Sequence, residues 1–293
     1  MATTTQIRTS SATRQRAFSA STLLDWAAIV VLSIGAILMI LPFLWMFSTS
    51  LRPSAESFKL PPAWLPTEWR FENYAAVFNS SVPIVAFALN SIKVTFFVTL
   101  GQLITCSMAG FAFARLRFPG RNLLFVLLLA SLMVPGQVTI IPIFIIMRKL
   151  GLVDNHLALI LPGLTSAFGV FLLRQFFLTL PQDLLDAAKI DGAGPWTAYL
   201  RIAIPLAGPS LAALTILTFN GTWNNFFAPY IFINTWEKMT LPLGITALRG
   251  YMASGNASIV MAAVAIAILP VLLIFLLAQR WFITGVTRTG LKG

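Results

Sequence analysis

The chain has 293 residues, of which 58% are hydrophobic and only 10% are charged, and its formal net charge is +11. Soluble domains are about 25% charged, so this composition excludes a soluble enzyme and a disordered or fibrous protein. A single cysteine, Cys106, excludes an internal disulfide and a cysteine-based metal site. The single histidine, His156, has no serine motif to work with, so we expect no catalytic residue and no bound metal.

Six apolar runs, uncharged except for Arg174 in the fourth and Arg280 at the end of the last, have the length that a helix needs to cross a bilayer, about 20 residues. In chain order they cover residues 26–47, 94–114 (with a start as early as Pro83), 122–147, 157–178, about 205–230 and about 258–280. The runs are continuous, whereas the strands of a membrane barrel alternate apolar and polar residues. The sequence therefore predicts an all-α polytopic membrane protein with six transmembrane helices.

The distribution of lysine and arginine predicts the orientation, because these residues are enriched in cytoplasmic loops. With the N-terminus inside, the inner segments carry twelve of them and the outer segments seven, and Lys93 lies in or near the second span. We expect both termini in the cytoplasm, with tails over 1–22 and 283–293 and a membrane domain over 23–282. The first twenty residues also have the composition of a transit peptide. The net charge then reflects topology and contact with anionic membrane lipid, not nucleic-acid binding.

The segment 179–206, between the fourth and fifth predicted spans, concentrates charge in a chain otherwise nearly free of it. Its local signals predict a helix over about 180–191, a turn and a second helix. These signals are a capping Thr179, Pro181 and Asp183 in the first turn, a stop at Gly192 or Gly194, and Pro195 at the next helix start.

The faces of the predicted helix 180–191 differ in character. Helical spacing places Leu184, Ala187, Ala188 and Asp191 on one side, while a polar edge carries Asp183, Asp186 and Lys189. The adjacent alanines leave a smooth surface that a partner protein could approach closely. The segment therefore predicts either a docking helix or a surface helix that only connects two spans.

The spacing of several residues in this segment resembles the EAA loop of ABC importer permeases. The matching residues are Asp186, Ala187, Ala188, Gly192, Ile202, Ile204 and Pro205. The family pattern has Glu where this chain has Asp186 and Leu where it has Ile204, so the carboxylate side chain is one methylene shorter here. Segments 110–121, 221–226, 279–282 and 290–293 are also similar to carbohydrate-uptake permeases, in particular to the second, maltose-type membrane subunit.

This resemblance implies a subunit of a transport complex in the cytoplasmic membrane of a prokaryote. The implied partners are a second, different permease, two copies of an ATPase that binds ATP and Mg, an extracytoplasmic solute-binding protein and a carbohydrate substrate. The resemblance assigns ATPase coupling to Asp183, Asp186, Ala187, Ala188, Lys189, Gly192 and Pro205. The sequence contains no G-x-x-x-x-G-K-[ST] motif for nucleotide phosphates. We therefore expect this chain to be no enzyme and to bind no cofactor itself.

Two further groups of residues are candidates for contacts with the substrate and the binding protein. Polar residues inside the fifth predicted span either line the substrate pathway or hydrogen-bond a neighbouring helix: Asn220, Thr222, Trp223, Asn224 and Asn225. In the outer loop between the last two spans, a contact with the binding protein or a plain connector would explain Gly250, Tyr251, Gly255 and Asn256.

Other transporters remain as alternatives. A permease for glycerol phosphate, a polyamine or another small solute would use the same machinery, and the solute held by the binding protein would identify it. A self-sufficient ion-coupled transporter would need ionisable residues at mid-span, and only Lys93 comes near. A membrane enzyme is disfavoured because His, Cys and clustered acids are scarce.

Overall fold

The computed structural model describes residues 20–56, 64–250 and 256–289, and every regular element in these ranges is helical. This confirms the all-α class. Most of the N-terminal tail predicted over 1–22, Tyr251 and Gly255 of the outer loop, and the last residues of the C-terminal tail lie outside the described residues.

The α-helices of the described ranges are numbered in chain order. They are α1 Ala20–Ser50, α2 Glu72–Asn79, α3 Ile84–Arg115, α4 Arg121–Ser131, α5 Gly136–Lys149, α6 Leu157–Ile160, α7 Ala167–Thr179, α8 Gln182–Ile190, α9 Pro195–Ala198, α10 Ile204–Leu206, α11 Gly208–Trp223, α12 Phe227–Phe232, α13 Leu241–Leu248 and α14 Ala257–Thr289. Three 3-10 segments cover Ser54–Glu56, Leu161–Gly163 and Trp236–Lys238, and Tyr199–Ala203 forms a π-helical turn.

The number of membrane spans in the described residues is four to six. Four segments are each long and apolar enough to cross: Leu24–Ser50, Ile84–Arg115, Leu157–Thr179 and Ala257–Gln279. Two more arise only if a bent pair is counted as one span. The first pair is α4 with α5, bent by 102°, and the second is Pro195–Leu206 with α11, bent by 76°. The six predicted runs correspond to the upper count.

Three predicted spans are not continuous helices, and proline explains the breaks in two of them. The run 122–147 breaks between α4 and α5, where Pro135 disfavours helical backbone at the residue before it. The run 205–230 breaks after Trp223, because Pro229 has no N–H for the carbonyl of Asn225 and its ring would clash there. The run 157–178 is interrupted between α6 and α7 by the 3-10 segment Leu161–Gly163 and the non-helical residues 164–166. The runs 26–47, 94–114 and 258–280 each lie within one helix, and α3 begins directly after Pro83 as expected.

The central contact of the fold is between α3 and α7, and two glycines let these helices approach. A Cβ at Gly110 would lie 3.0 Å from the Leu173 Cβ, and one at Gly169 would lie 2.9 Å from the Cys106 Sγ. Cys106 is fully buried in this contact. Because α3 has 32 residues, it is about 48 Å long and links the two ends of the molecule.

Apolar clusters lie at both ends of α3. The first, at the end that contacts α8 (the α8 end), includes Phe111, Val170, Leu173, Phe177, Tyr199 and Ala203. The second, at the opposite end (the far end), includes Val77, Phe87, Trp223, Leu241, Ala262 and Ala263. The helices are thus fixed at two levels, and the candidate coupling segment packs on the first.

Candidate functional site

The helix α8 is the predicted docking helix, and it spans Gln182–Ile190. It ends as the glycine signal predicts: Gly192 has φ +81°, its N–H donates to the Lys189 carbonyl, and the Ala193 N–H donates to the Ala188 carbonyl. These two bonds form a Schellman motif. The predicted cap is wrong, because Thr179 ends α7 and its hydroxyl donates to the Phe176 carbonyl.

Most of α8 faces away from the rest of the chain, and none of its residues is buried. Leu185 and Ala188 are half-buried, and Leu185 packs against the α8-end cluster. Ala187 is exposed, as are the larger apolar side chains of Leu184 and Ile190, at 46% and 87%. The predicted apolar face is therefore split: Ala188 is partly covered by the chain, while Ala187 belongs to the exposed surface.

A polar anchor that the sequence analysis missed holds the start of α8. The Arg115 guanidinium, at the end of α3, donates to the Phe177 carbonyl (2.8 Å), to the Leu180 carbonyl and to the Gln182 Oε1 (2.8 Å). The Gln182 amide in turn donates to the Asp186 Oδ1 (3.0 Å). Arg115 thus positions the acidic residue of the EAA-like motif through Gln182. The signal was an arginine at a helix end, where cations bind exposed carbonyls.

The second half of the segment is packed more firmly than α8. The Tyr199 hydroxyl lies 2.7 Å from the Ser107 Oγ of α3, and its ring is 5.4 Å from the Phe111 ring. Pro205 is exposed within α10, directly before the 76° bend into α11. The segment is therefore connected both to α3, through Tyr199 and Arg115, and to α11, through the chain itself.

The five polar candidates on α11 and after it point in two directions. Asn220 and Asn224 share one face, where the Asn224 amide donates to the Asn220 Oδ1 (2.9 Å). Thr222 and Asn225 lie on the opposite side and line a small cavity against α3. Trp223 is only 3% exposed, and its indole N–H donates to the Ala267 carbonyl (2.9 Å). This indole is therefore mainly committed to helix packing, and its ring contributes little surface to the cleft that Asn220 borders.

Each of the two faces of α11 borders a cleft. The Asn220 side opens on an apolar cleft of about 540 Å³ bordered by α1, α13 and α14, with Phe43, Phe226 and Ile245 among its lining residues. On the other side a cleft of about 260 Å³ is lined by polar groups that include Ser166, Thr218 and Thr222. Gln102 of α3 joins this second face, because its amide oxygen accepts from the Thr218 hydroxyl (2.8 Å).

The outer-loop candidates are described only at their edges. Gly250 has φ +69°, a left-handed conformation that glycine adopts without strain. The Asn256 Oδ1 accepts the Ser258 N–H (2.9 Å), so this side chain caps the start of α14. The described part of the loop thus consists of a turn and a helix cap.

A charged cluster at the far end was also missed by the sequence analysis. Asp154 has φ +62°, and its carboxylate accepts the N–H groups of Asn234 (2.9 Å) and Thr235 (2.8 Å) and the Lys238 ammonium (2.8 Å). The Lys238 ammonium and the Thr235 donors hold the pKa of Asp154 well below its usual range. His156, which we expected to have no catalytic role, donates from Nε2 to the Lys238 carbonyl (2.8 Å). This cluster fixes the α5–α6 loop to the α12–α13 connection.

Comparison with known proteins identifies the family. A family model described as "Binding-protein-dependent transport system inner membrane component" matches residues 101–288, which include the EAA-like segment. The arabinooligosaccharides transport system permease protein AraQ of Halalkalibacterium halodurans is 34% identical over 276 residues, covering 93% of this chain and 98% of that protein. AraQ of Bacillus subtilis is 36% identical over 260 residues, covering 88% and 92%.

Two other relatives widen the comparison. The sn-glycerol-3-phosphate transport system permease protein UgpE of Yersinia pestis is 34% identical, covering 89% of this chain and 95% of that protein. A chain from the crystal structure of a bacterial ABC transporter involved in alginate import has a TM-score of 0.79 at 24% identity, covering 91% and 99%, and so shares the fold. These matches confirm the resemblance found in the sequence. The chain belongs to the family of inner membrane components of binding-protein-dependent transport systems.

Proposed function

We propose that this chain is one permease subunit of an ATP-driven importer of a carbohydrate, specifically an oligosaccharide, and that α8 couples it to the ATPase. The observation that carries the proposal is α8 itself: a helix with an exposed apolar surface, anchored at one end to α3 by Arg115. An exposed helix that presents Leu184 and Ile190 fits a groove in another protein. The named function of the AraQ relatives supports an oligosaccharide.

The proposed topology places α8 and both termini in the cytoplasm of a prokaryote. It counts each bent helix pair as one span, which gives six spans in the cytoplasmic membrane. The bias of lysine and arginine toward the α8 side supports this orientation. Lys93 is exposed on α3 near its far end, so its long side chain could reach the outer interface and need not serve ion coupling.

In the proposed coupling mechanism, the ATPase dimer hydrolyses ATP with Mg and moves α8 as it closes. Ala187 would lie in the ATPase cleft, Asp183 and Lys189 would flank it, and the Gly192 turn would keep the helix short. Asp186, held by Gln182, would present its second carboxylate oxygen to the ATPase. The motion would reach α3 through Arg115 and α11 through the bend after Pro205, as a rigid-body change between inward and outward access.

We propose that the translocation pathway forms between this chain and a second, different permease. Neutral amides and hydroxyls from both faces of α11 are suited to hydrogen-bond sugar hydroxyls: Asn220, Asn224, Thr222 and Asn225. Trp223 would support this helix from behind. The loop from Gly250 to Asn256 would face the extracytoplasmic solute-binding protein, with Asn256 fixing the start of α14.

A second candidate substrate is glycerol phosphate, since UgpE relatives match as well as one AraQ relative does. A phosphate ester would favour cationic groups along the pathway. The described clefts at α11 are lined by amides, hydroxyls and apolar groups, which favours a neutral sugar. The solute that remains bound to the co-purified binding protein would decide between them.

The proposal is tested by purifying the chain in a mild detergent and identifying the proteins that accompany it by mass spectrometry. The decisive variant is Ala187→Asp, because this position is exposed and a carboxylate there leaves the chain's own core intact. A carboxylate buried in a docking cleft is strongly unfavourable, so we expect the ATPase to be lost and the second permease retained. The matched control is Thr246→Asp, at an exposed position of α13 at the far end, which should keep both the ATPase and the second permease. If the ATPase stays bound to the Ala187→Asp variant, α8 is not the docking helix.

A further inference from the structure

Four arginines gather at the α8 end, and none of them forms a salt bridge within the described part of the chain. Arg115 donates to two carbonyls and to Gln182, as above. Arg174 lies over the Phe125 ring, 4.0 Å from its centroid, and its charge repels that of Arg121. Arg117 is exposed, and no described residue accepts a hydrogen bond from it. The cluster is thus a local concentration of positive charge without a protein anion.

Two of these arginines border a surface cleft. Arg117 and Arg121 line an open cleft of about 390 Å³ together with Gly120 and Asn122. The Arg121 Nη1 donates to the Leu116 carbonyl (3.1 Å), which holds the side chain in place along the rim. The cleft therefore has one fixed guanidinium and one that is free to turn, both available to an anion.

An apolar surface continues directly from this cleft along α4. Leu123, which also lines the cleft, is 64% exposed, and Leu124, Val126 and Leu127 are 50–58% exposed. With 11 residues, α4 is about 16 Å long, close to half the thickness of the hydrocarbon core, about 15 Å. A ligand that fits both surfaces has an anionic head and apolar tails of about one leaflet in length.

We propose that this cleft is a binding site for an anionic phospholipid, whose phosphate contacts Arg117 and Arg121 and whose acyl chains lie along α4. The site is in the leaflet on the α8 side, which is the cytoplasmic leaflet in the orientation of the proposed function. Guanidinium groups bind phosphate through two parallel hydrogen bonds, and basic pockets between membrane helices are suited to lipid head groups. Lipid bound beside Arg121 would also neutralise the repulsion from Arg174, next to the anchor of α8.

The test is native mass spectrometry of the purified complex in the presence of equal amounts of phosphatidylglycerol and phosphatidylcholine. We expect the wild-type complex to retain phosphatidylglycerol at least fivefold over phosphatidylcholine. The double variant Arg117→Gln/Arg121→Gln should lose this preference. The matched control Arg148→Gln/Lys149→Gln removes the same positive charge from an exposed basic pair at the end of α5. This control should keep the preference for phosphatidylglycerol. If both double variants lose the preference for phosphatidylglycerol equally, the proposed site is wrong. The net charge of the chain alone would then explain why this lipid is retained.

Two further experiments test whether these arginines bind free phosphate or another protein instead of a lipid. Inorganic phosphate at millimolar concentration should not displace the lipid, because it lacks the apolar part; full displacement would overturn the lipid proposal in favour of a free phosphate site. If Arg117→Gln/Arg121→Gln loses the ATPase but keeps its phosphatidylglycerol, the arginines contact protein and the proposal fails. The Ala187→Asp variant should lose the ATPase and keep the lipid, so failure of the proposed coupling is separable from failure of the lipid site.

Discussion

The two ends of the molecule differ in how completely the chain satisfies its own polar and apolar groups. At the far end, the Asp154 carboxylate binds two backbone N–H groups and the Lys238 ammonium. The Asn90 amide of α3 there donates to the carbonyls of Glu237 and Met239, at 2.8 and 2.9 Å. At the α8 end, no residue of α8 is buried and Ile190 is 87% exposed.

This difference assigns separate mechanical roles to the two ends. Regions with few buried apolar contacts open at a lower free energy than densely packed regions do. At the far end, side chains of the chain itself bind the polar groups, so this end can move as a rigid body. At the α8 end the contrast is confined to α8 itself: this helix is held by Arg115 and by the packing of Leu185, and the described part of the chain leaves its outer apolar side chains exposed. The following predictions test this contrast, from the largest expected effect on folding stability to the smallest.

Gly244→Ala should give the largest loss of stability, because it breaks the packing of the far end. The new Cβ would lie 2.1 Å from the Phe87 Cδ2, and Phe87 is fully buried with its ring 5.3 Å from that of Trp236. Overpacking of this kind costs about 1–3 kcal/mol. The measurement is thermal unfolding of the purified chain in detergent, followed by tryptophan fluorescence.

The control for Gly244→Ala is Gly221→Ala, in which a methyl group is added to a helix at an exposed position. No atom lies within 4 Å of a Cβ there, so this variant should unfold at or above the wild-type temperature. Similar losses in both variants would mean that the far end is not packed more tightly than the surface of α11.

Arg115→Gln should release the α8 end while leaving the far end unchanged. The variant removes the guanidinium that binds the carbonyls of Phe177 and Leu180 and the side chain of Gln182. Hydrogen bonds from a charged donor contribute more than neutral ones do, and since Arg115 is partly exposed we expect a loss of about 1–2 kcal/mol. Hydrogen exchange should become faster in residues 180–191. Faster exchange of α13 as well would show that the two ends are not independent.

The anchor illustrates what the sequence could and could not predict. The helix class, the long spans and the limits of α8 follow from local signals, since Gly192 and Pro195 act within a few residues of their own position. The contact of Arg115 with Gln182 joins positions 67 residues apart, and no local pattern encodes it. The prediction that each span is one continuous helix was wrong for a related reason. Hydropathy measures the length of an apolar run but does not register the backbone effect of Pro229.

The α11 candidates show the same limit within a single helix. The composition of 220–225 correctly indicates an unusual polar stretch, but it does not reveal that Trp223 turns to the core. Only the arrangement of neighbouring helices determines that its indole donates to Ala267 of α14. Far-end residues such as Asp154 were missed because their partners, Asn234 and Lys238, lie about 80 residues away.

Gly192→Ala should destabilise the α8 end by less than Arg115→Gln does. An alanine at φ +81° costs about 1 kcal/mol, because its Cβ crowds the backbone in the left-handed region. The Schellman motif should fray, and the last turn of α8 should exchange faster with solvent. Gly194→Ala is the matched control, since Gly194 has an ordinary φ of −72° and open space around it. If both variants behave alike, the turn after α8 does not depend on the left-handed conformation.

Asp154→Asn should have the smallest effect, and its dependence on pH identifies the cause. Asparagine tolerates the positive φ of this position, so the variant removes the charge and leaves the backbone in place. Because the Lys238 ammonium lowers the folded-state pKa of Asp154, its stabilising contribution is fully present above the unfolded value of 3.8 and is lost as the pH falls below it. The difference in melting temperature between wild type and variant should therefore be constant from pH 5 to 8 and should narrow only below about pH 4. Glu237→Gln, a loss of the same charge on the exposed surface of the neighbouring segment, should show no such narrowing. A wild-type advantage that already declines between pH 8 and pH 5 would contradict the assignment of this pH dependence to Asp154.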